Sequence, residues 1–158
     1  MKKTNAMRLL DVAKIHYDIL EYEVDENDLS GMHISAGIGI PPNAVFKTLV
    51  AKGEKNGYIV FCIPTDRELN LKKAAEVTND KKIEMVHVKD LLSLTGYIRG
   101  GCSPVGMKKK FPTYFDRSAL ELAKITVSAG VRGAVLLLSP SELIDYLDAK
   151  TEQIAFDK

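Results

Sequence analysis

Residues 43–64, NAVFKTLVAKGEKNGYIVFCIP, constrain the fold more than any other stretch. Two apolar runs rich in β-branched residues flank GEKNG, a concentration of turn formers. Such runs make strands, and a short turn between two of them makes a hairpin. In AVFKTLVA both faces are largely apolar: Val45, Lys47, Leu49 and Ala51 lie on one, Ala44, Phe46, Thr48 and Val50 on the other. A lysine in such a strand is costly unless its ammonium reaches water or an anion. Lys47 therefore reads either as a snorkelling side chain at a sheet rim or as a cation at a pocket mouth, ready for a phosphate or a developing oxyanion.

The flanks add helices and short strands. Residues 4–16 carry Met7, Leu10 and Ala13 on helical spacing, with Leu9, Val12 and Ile15 widening the apolar face and Thr4 or Asn5 as cap. DILEYEV (18–24) alternates like a strand. A helical turn is expected over 32–38, stopped by Gly39 and Pro41-Pro42. Residues 69–78 read as a helix, 83–88 as a strand that places His87 at a core or edge position, and 89–94 as a helical turn. FPTYFD reads as extended, ITVSAG and GAVLLL as strands around Gly130 and Gly133. Ser139-Pro140-Ser141-Glu142 is a capping box opening a helix, and EQIAF is a single closing strand. Strands and helices do not alternate regularly. That favours α+β with a mixed, largely antiparallel sheet over a doubly wound fold. The 158 residues suit one domain, 1–158.

No run approaches the ~18 apolar residues of a membrane span. MKKTNAMRLL has no long apolar segment and no small-residue cleavage site, so a cytoplasmic location is expected. Cys62 and Cys102 stand far apart and outside any CxxC pair, which argues against a disulfide framework and a zinc site. No HxxxH, HExxH or clustered Asp/His set occurs, and neither a metal nor a cofactor is expected. With a net charge of +1, strong non-specific binding to nucleic acid is not expected, although Lys72-Lys73, Lys81-Lys82 and Lys108-Lys109-Lys110 are local basic clusters.

The densest candidate region is TGYIRGGCSPVGMKKK at 95–110. Gly101 and Gly106 match the GxxxxG spacing of a phosphate loop. Met107 stands where that motif needs lysine, Pro104 deletes a backbone donor, and no helix-forming run follows. Cys102 could be a nucleophile, but no histidine pattern supplies a base. A third role remains: glycines let the backbone approach a ligand and aim N–H groups at a carbonyl or phosphate. SAGVRG at 128–133 could form the opposite wall, and plain turn chemistry is the competing reading of both loops.

KTNAMRLLD at 3–11, VFKTLV at 45–50, LTGYIRGGCSPVGMKK at 94–109 and SAGVRG at 128–133 together resemble the YbaK/EbsC family of aminoacyl-tRNA deacylases, whose superfamily includes the prolyl-tRNA synthetase editing domain. The similarity spans nearly the whole chain, and within the family it is greatest to the free-standing bacterial type that clears cysteine mischarged onto proline tRNA. It implies a curved, barrel-like mixed sheet flanked by helices. It implies as substrate an ester between an amino acid and the 3′-terminal adenosine of tRNA. It maps an editing lysine onto Lys47 and a substrate loop onto Gly100, Gly101, Cys102, Ser103, Pro104, Val105 and Gly106. Tyr22, Ser128 and Gly130 are further carry-overs. Close relatives often carry an acidic residue where this chain has Ala134 and Val135, which leaves the amino-acid preference open.

The mechanism implied by the resemblance is substrate-assisted. The cysteinyl thiol attacks its own ester carbonyl and expels the tRNA as a cyclic thiolactone forms, so proximity supplies much of the acceleration. The protein then has to orient the ester and stabilise the oxyanion, with Lys47 and the N–H groups around Gly100–Cys102 in those roles. A weakly charged protein should read little of the tRNA body. The acceptor 3′ end is the expected contact, steered by Lys108–Lys110, with prolyl-tRNA synthetase as a transient partner supplying selectivity. Neither a membrane nor DNA is expected as a partner, and no heptad pattern asks for an oligomer, so a monomer is expected. Two rival functions stand beside this one: an editing enzyme for alanine, and a module that binds a nucleotide or RNA end without catalysis.

Overall fold

The computed structural model describes residues 1–157. In chain order the elements are α1 (Asn5–Val12), β1 (Tyr17–Glu21), α2 (Gly31–Ile38), a 3₁₀ turn (Pro42–Ala44), β2 (Phe46–Gly53), β3 (Gly57–Pro64), β4 (Arg67–Leu69), α3 (Leu71–Val77), β5 (Ile83–Met85), α4 (Val88–Thr95), β6 (Thr113–Asp116), a second 3₁₀ segment (Arg117–Glu121), β7 (Ile125–Ser128), β8 (Ala134–Leu138), α5 (Pro140–Leu147), β9 (Lys150–Glu152) and β10 (Ala155–Asp157). The fold is α+β, as the pattern of runs implies.

The β2–β3 hairpin is the centre of a five-stranded sheet ordered β5-β2-β3-β6-β9. β2 pairs antiparallel with β3 and β5, whereas β3–β6 and β6–β9 are parallel. Each face of the sheet carries its own core, because side chains alternate along a strand. One face gathers Phe46, Val50, Val60, Cys62 and Phe115 with Met7 and Leu10 of α1, Leu143 of α5 and the inner residues of β7 and β8. The other gathers Ala51, Ile59, Phe61, Ile63 and Tyr114 with Ala74 and Ala75 of α3 and Ile154. A second sheet, β1-β8-β7, joins the first through a parallel bridge between Val45 and Thr126, and β10 pairs with β4.

Local chemistry explains the element ends. Thr4, Ser30, Asn70 and Ser139 each accept a hydrogen bond from an N–H in the first turn of α1, α2, α3 and α5. The hairpin turn is held from outside by Asp80, whose carboxylate accepts the N–H groups of Lys55, Asn56 and Lys81. Gly53 makes room for it, since a Cβ there would sit 2.0 Å from Asp80 Oδ2.

Several expectations need correction. α1 stops at Val12, because Lys14 adopts a left-handed conformation (φ 60°). Val12 is 82% exposed and does not widen the apolar face; it lies ~200° round the helix from Leu10. His87 is an exposed residue at the start of α4, outside the three-residue β5, so it is neither a core nor a sheet-edge histidine. EQIAF is two strands. β9 continues the large sheet, and β10 leaves it after the buried Asp116 carboxylate captures the N–H groups of Ile154 and Ala155. Among the described residues, no helix is long and apolar enough to cross a membrane.

Candidate functional site

β3 covers one edge of β2 from Phe46 to Gly53. The other edge is covered only at its ends. β7 meets it at Val45, and β5 pairs with Ala51–Gly53, with Val86 N–H donating to the Val50 carbonyl just beyond. Between these contacts lies a cavity of about 340 Å³, a size suited to a small ligand. Residues 45–50 line it, with Met85 and Val86 on the β5 side, Ser128 of β7 and Val135 of β8 on the other, and Val88 and Leu91 of α4.

α2 closes a further side through Ser30, Gly31, Met32 and Ile34. Its approach depends on Gly31, because a Cβ there would stand 1.9 Å from Thr65 Oγ1. Thr65, also in the wall, extends the hairpin by donating its N–H to the Val45 carbonyl at 2.8 Å.

The glycine loop leaves α4 at Gly96, whose left-handed conformation (φ 85°) ends the helix. Inside it, Gly101 N–H donates to the Ile98 carbonyl at 3.0 Å, Tyr97 Oη to the Val105 carbonyl at 2.5 Å, and Val105 N–H to Ser103 Oγ at 3.2 Å. Arg132 Nε donates to the Arg99 carbonyl at 2.8 Å, and its guanidinium pairs with Glu26 at 2.7 Å. A Cβ on Gly101 would lie 3.0 Å from the Val131 carbonyl carbon, so the loop rests directly on residues 131–132.

Lys47, Tyr22, Gly100, Cys102 and Ser128 thus come together around one cavity from four separate parts of the chain. Gly101, Ser103, Pro104, Gly106 and Gly130 do not line it. Ser103 is fully buried, and Gly130 N–H donates to Ser128 Oγ at 3.1 Å, which orients that hydroxyl. Tyr22 extends β1 by donating its N–H to the Gly133 carbonyl and meets the His33 ring edge-on at 6.3 Å. Lys108, Lys109 and Lys110 are exposed and outside the cavity wall, and the aliphatic stem of Lys108 packs over Gly96. Of the two positions where an acid was looked for, Ala134 is in the core and Val135 faces the cavity.

Among the described residues, the charges in the wall are the cations Lys47 and Arg99, and the lining holds no carboxylate and no histidine. Its one thiol is not poised to attack. Burial pushes the Cys102 thiol up to about 11, only partly offset by a hydrogen bond with Thr95, so it stays protonated at neutral pH. Cys62 is fully buried and its thiol is likewise raised by burial. Among the described residues, no group of three His, Cys, Asp or Glu is placed to hold a metal ion.

Sequence reasoning missed Arg99, Thr65, the first turn of α2 and the α4 face. Arg99 stood inside the quoted loop and could have been picked out as its second cation. The others carry no local signal, because only the tertiary fold brings them to the β2 edge.

Comparison with known proteins bears on this site. The aminoacyl-tRNA editing domain family model matches residues 33–146. A candidate Cys-tRNA(Pro)/Cys-tRNA(Cys) deacylase of Enterococcus faecalis, EbsC, is 44% identical over 153 residues, covering 97% of this chain and 93% of its own. The proline–tRNA ligase of Fervidobacterium nodosum is 38% identical over 71 residues, 45% of this chain and 12% of the ligase. Among solved structures, a candidate trans-editing enzyme for prolyl tRNA synthetase superposes with a TM-score of 0.83 over 99% of both chains, at 22% identity, which shows a shared fold.

Proposed function

The chain belongs to the aminoacyl-tRNA editing domain family, and from that premise we propose that it is a free-standing deacylase that clears mischarged tRNA, with cysteine on proline tRNA as its foremost substrate. The observation that carries the choice of cysteine is what the cavity lacks. Among the described residues no histidine, no carboxylate and no ionised thiol lines it, so the hydroxyls in the wall have no imidazole or carboxylate base beside them to make one a nucleophile. A cysteinyl ester brings one. Its thiol loses a proton, the sulfur adds to the ester carbonyl carbon, and a C–S bond forms. The C–O bond to the terminal ribose then breaks, and the departing ribose oxygen takes up a proton.

The protein's work is orientation and charge stabilisation. Lys47 faces the terminal nucleotide's phosphate or the developing oxyanion. Gly101 N–H is already engaged, so the donors the glycine loop can offer are the N–H groups of Gly100 and Cys102, which no hydrogen bond among the described residues occupies. Tyr22 and Ser128 fill out the substrate wall. Lys108–Lys110, outside the cavity, steer the acceptor end. The protein acts in the cytoplasm, where tRNA is charged, and prolyl-tRNA synthetase is the partner that would present the proline tRNA.

The test is deacylation of cysteinyl-, alanyl- and prolyl-tRNA prepared on the proline tRNA. Cysteinyl ester should be cleaved fastest. Lys47→Ala should lower kcat/KM about 10²–10³-fold, the scale of losing one oxyanion contact, with an unchanged melting temperature. Faster cleavage of alanyl-tRNA would replace cysteine as the substrate, and no turnover of any of the three would leave only a binding function.

A further inference from the structure

We infer that the open edge of β2 at Thr48 is the subsite for the amino-acid backbone of the substrate, the Thr48 carbonyl taking the α-ammonium and the Thr48 N–H taking the ester carbonyl oxygen. The inference rests on the proposed function and adds a recognition element on the strand itself.

The hydrogen-bond parity of β2 follows from its neighbours. Thr65 N–H donates to the Val45 carbonyl, which makes Val45–Thr65 a bonded pair across to β3. In an antiparallel ladder bonded pairs alternate with unbonded ones, so Lys47, Leu49 and Ala51 also turn their backbone groups to β3. Thr48, Val50 and Lys52 turn theirs the other way. Two contacts agree: Val86 N–H reaches the Val50 carbonyl, and Lys52 lies opposite Glu84 of β5. Thr48 is the position with neither β7 nor β5 beside it. Its N–H and C=O point into the gap where the cavity lies, and among the described residues neither β7 nor β5 pairs with Thr48 on that edge.

Strand edges in such a position are templates for one more strand residue. An α-aminoacyl ester has the needed shape. Its amino group and carbonyl flank a single Cα, like the N–H and C=O that a strand residue offers to a neighbour in a bonded pair. The composition of the wall points the same way. Among the described residues the wall offers an entering α-ammonium no carboxylate, which leaves neutral acceptors to hold it, and a strand carbonyl directed into that cavity is one. On the other side of the ester, Thr48 N–H would join the glycine-loop donors at the oxyanion, giving it hydrogen bonds from two walls.

Replacing Thr48 with its α-hydroxy analogue turns the amide into an ester and removes this one N–H while keeping the side chain. The bond removed faces the gap, so the β2–β3 ladder keeps its donors. kcat/KM for cysteinyl-tRNA should fall about 10²-fold. The acceptor half is read on the unmodified protein with 3-mercaptopropionyl-tRNA, which keeps the thiol and lacks only the ammonium. Relative to its own breakdown in buffer, it should be cleaved about 10–100-fold less efficiently than cysteinyl-tRNA. This second measurement stands even if the backbone ester fails to fold. Turnover within twofold of the reference in either experiment overturns the corresponding half of the subsite. If the unmodified protein cleaves no charged tRNA at all, the editing reading falls and the subsite falls with it.

Discussion

The two glycine-bearing loops beside the cavity look alike in sequence and are built differently. The loop at 128–133 is a hairpin turn. Ser128 pairs with Val135, Ala129 N–H donates to the Ala134 carbonyl, and Gly130 N–H donates to Ser128 Oγ, so flanking strands and local bonds dictate its shape. The loop at 97–106 has no ladder to lean on. It is held by a few internal bonds and by resting on its partner, with Gly101 against Val131 and Arg132, and Arg132 bonded back to Arg99. Gly130 and Gly133 supply the positive φ their own turn needs, whereas Gly101 has no such φ and serves the close contact between the loops. Placement of the Gly100–Cys102 wall is thus delegated to a hairpin 30 residues further along the chain.

Because of that dependence, Gly101→Ala should have the largest effect. Its Cβ would meet backbone atoms at 3.0–3.2 Å that cannot swing aside. A stability loss of about 3 kcal/mol by denaturant titration is expected, with a fall in deacylation of at least about tenfold as the wall shifts. An unchanged midpoint and unchanged turnover would mean that the loop holds its shape alone. Gly130→Ala should cost less, about 1–2 kcal/mol, from a side chain forced to φ 99° and pressed on the Tyr97 ring. Its turnover should fall through Ser128, visible as a raised KM more than a lowered kcat.

The smallest effect is expected at Cys102, the loop's most reactive residue type. Cys102→Ala keeps the backbone N–H and should keep most of the turnover. Because the folded thiol is raised from 9.0 to about 11, it favours the folded state fully below pH 9 and progressively less as the pH rises towards 11. The stability difference between wild type and Cys102→Ala should therefore shrink over that window. A thiol alkylated rapidly at pH 7 would show that the loop opens and would weaken the contrast between the two loops.

Much of the fold was legible because it rests on local signals. The 43–64 hairpin, the capping box at Ser139 and the strands around Gly130 and Gly133 each declare themselves within a few residues, by alternation, cap chemistry or turn formers. The errors fall where neighbours in space overrode the local pattern. EQIAF reads as one strand, and a buried carboxylate 38 residues away splits it. IEMVHV reads as a strand through His87, and the chain turns into α4 after Met85 and Val86. The site followed the same division. Lys47 stood out as a charge in an apolar strand, and the 95–110 loop stood out by composition. Thr48, a threonine in a strand, gave no sign at all, because its role depends on which neighbouring strand is missing.

By itself, then, the sequence determined that this chain makes an α+β protein around a central hairpin, with a cation in one strand and a glycine-rich loop too short of bases and metal ligands to be a conventional nucleophilic site. Alternation, capping and turn chemistry act over a handful of residues and can be read there. The tertiary structure decided which of those residues share a cavity, which glycine N–H is already occupied, and that β2 keeps an open edge between β7 and β5. Those outcomes depend on contacts between residues far apart along the chain, and no local pattern encodes a strand edge left without a ladder partner.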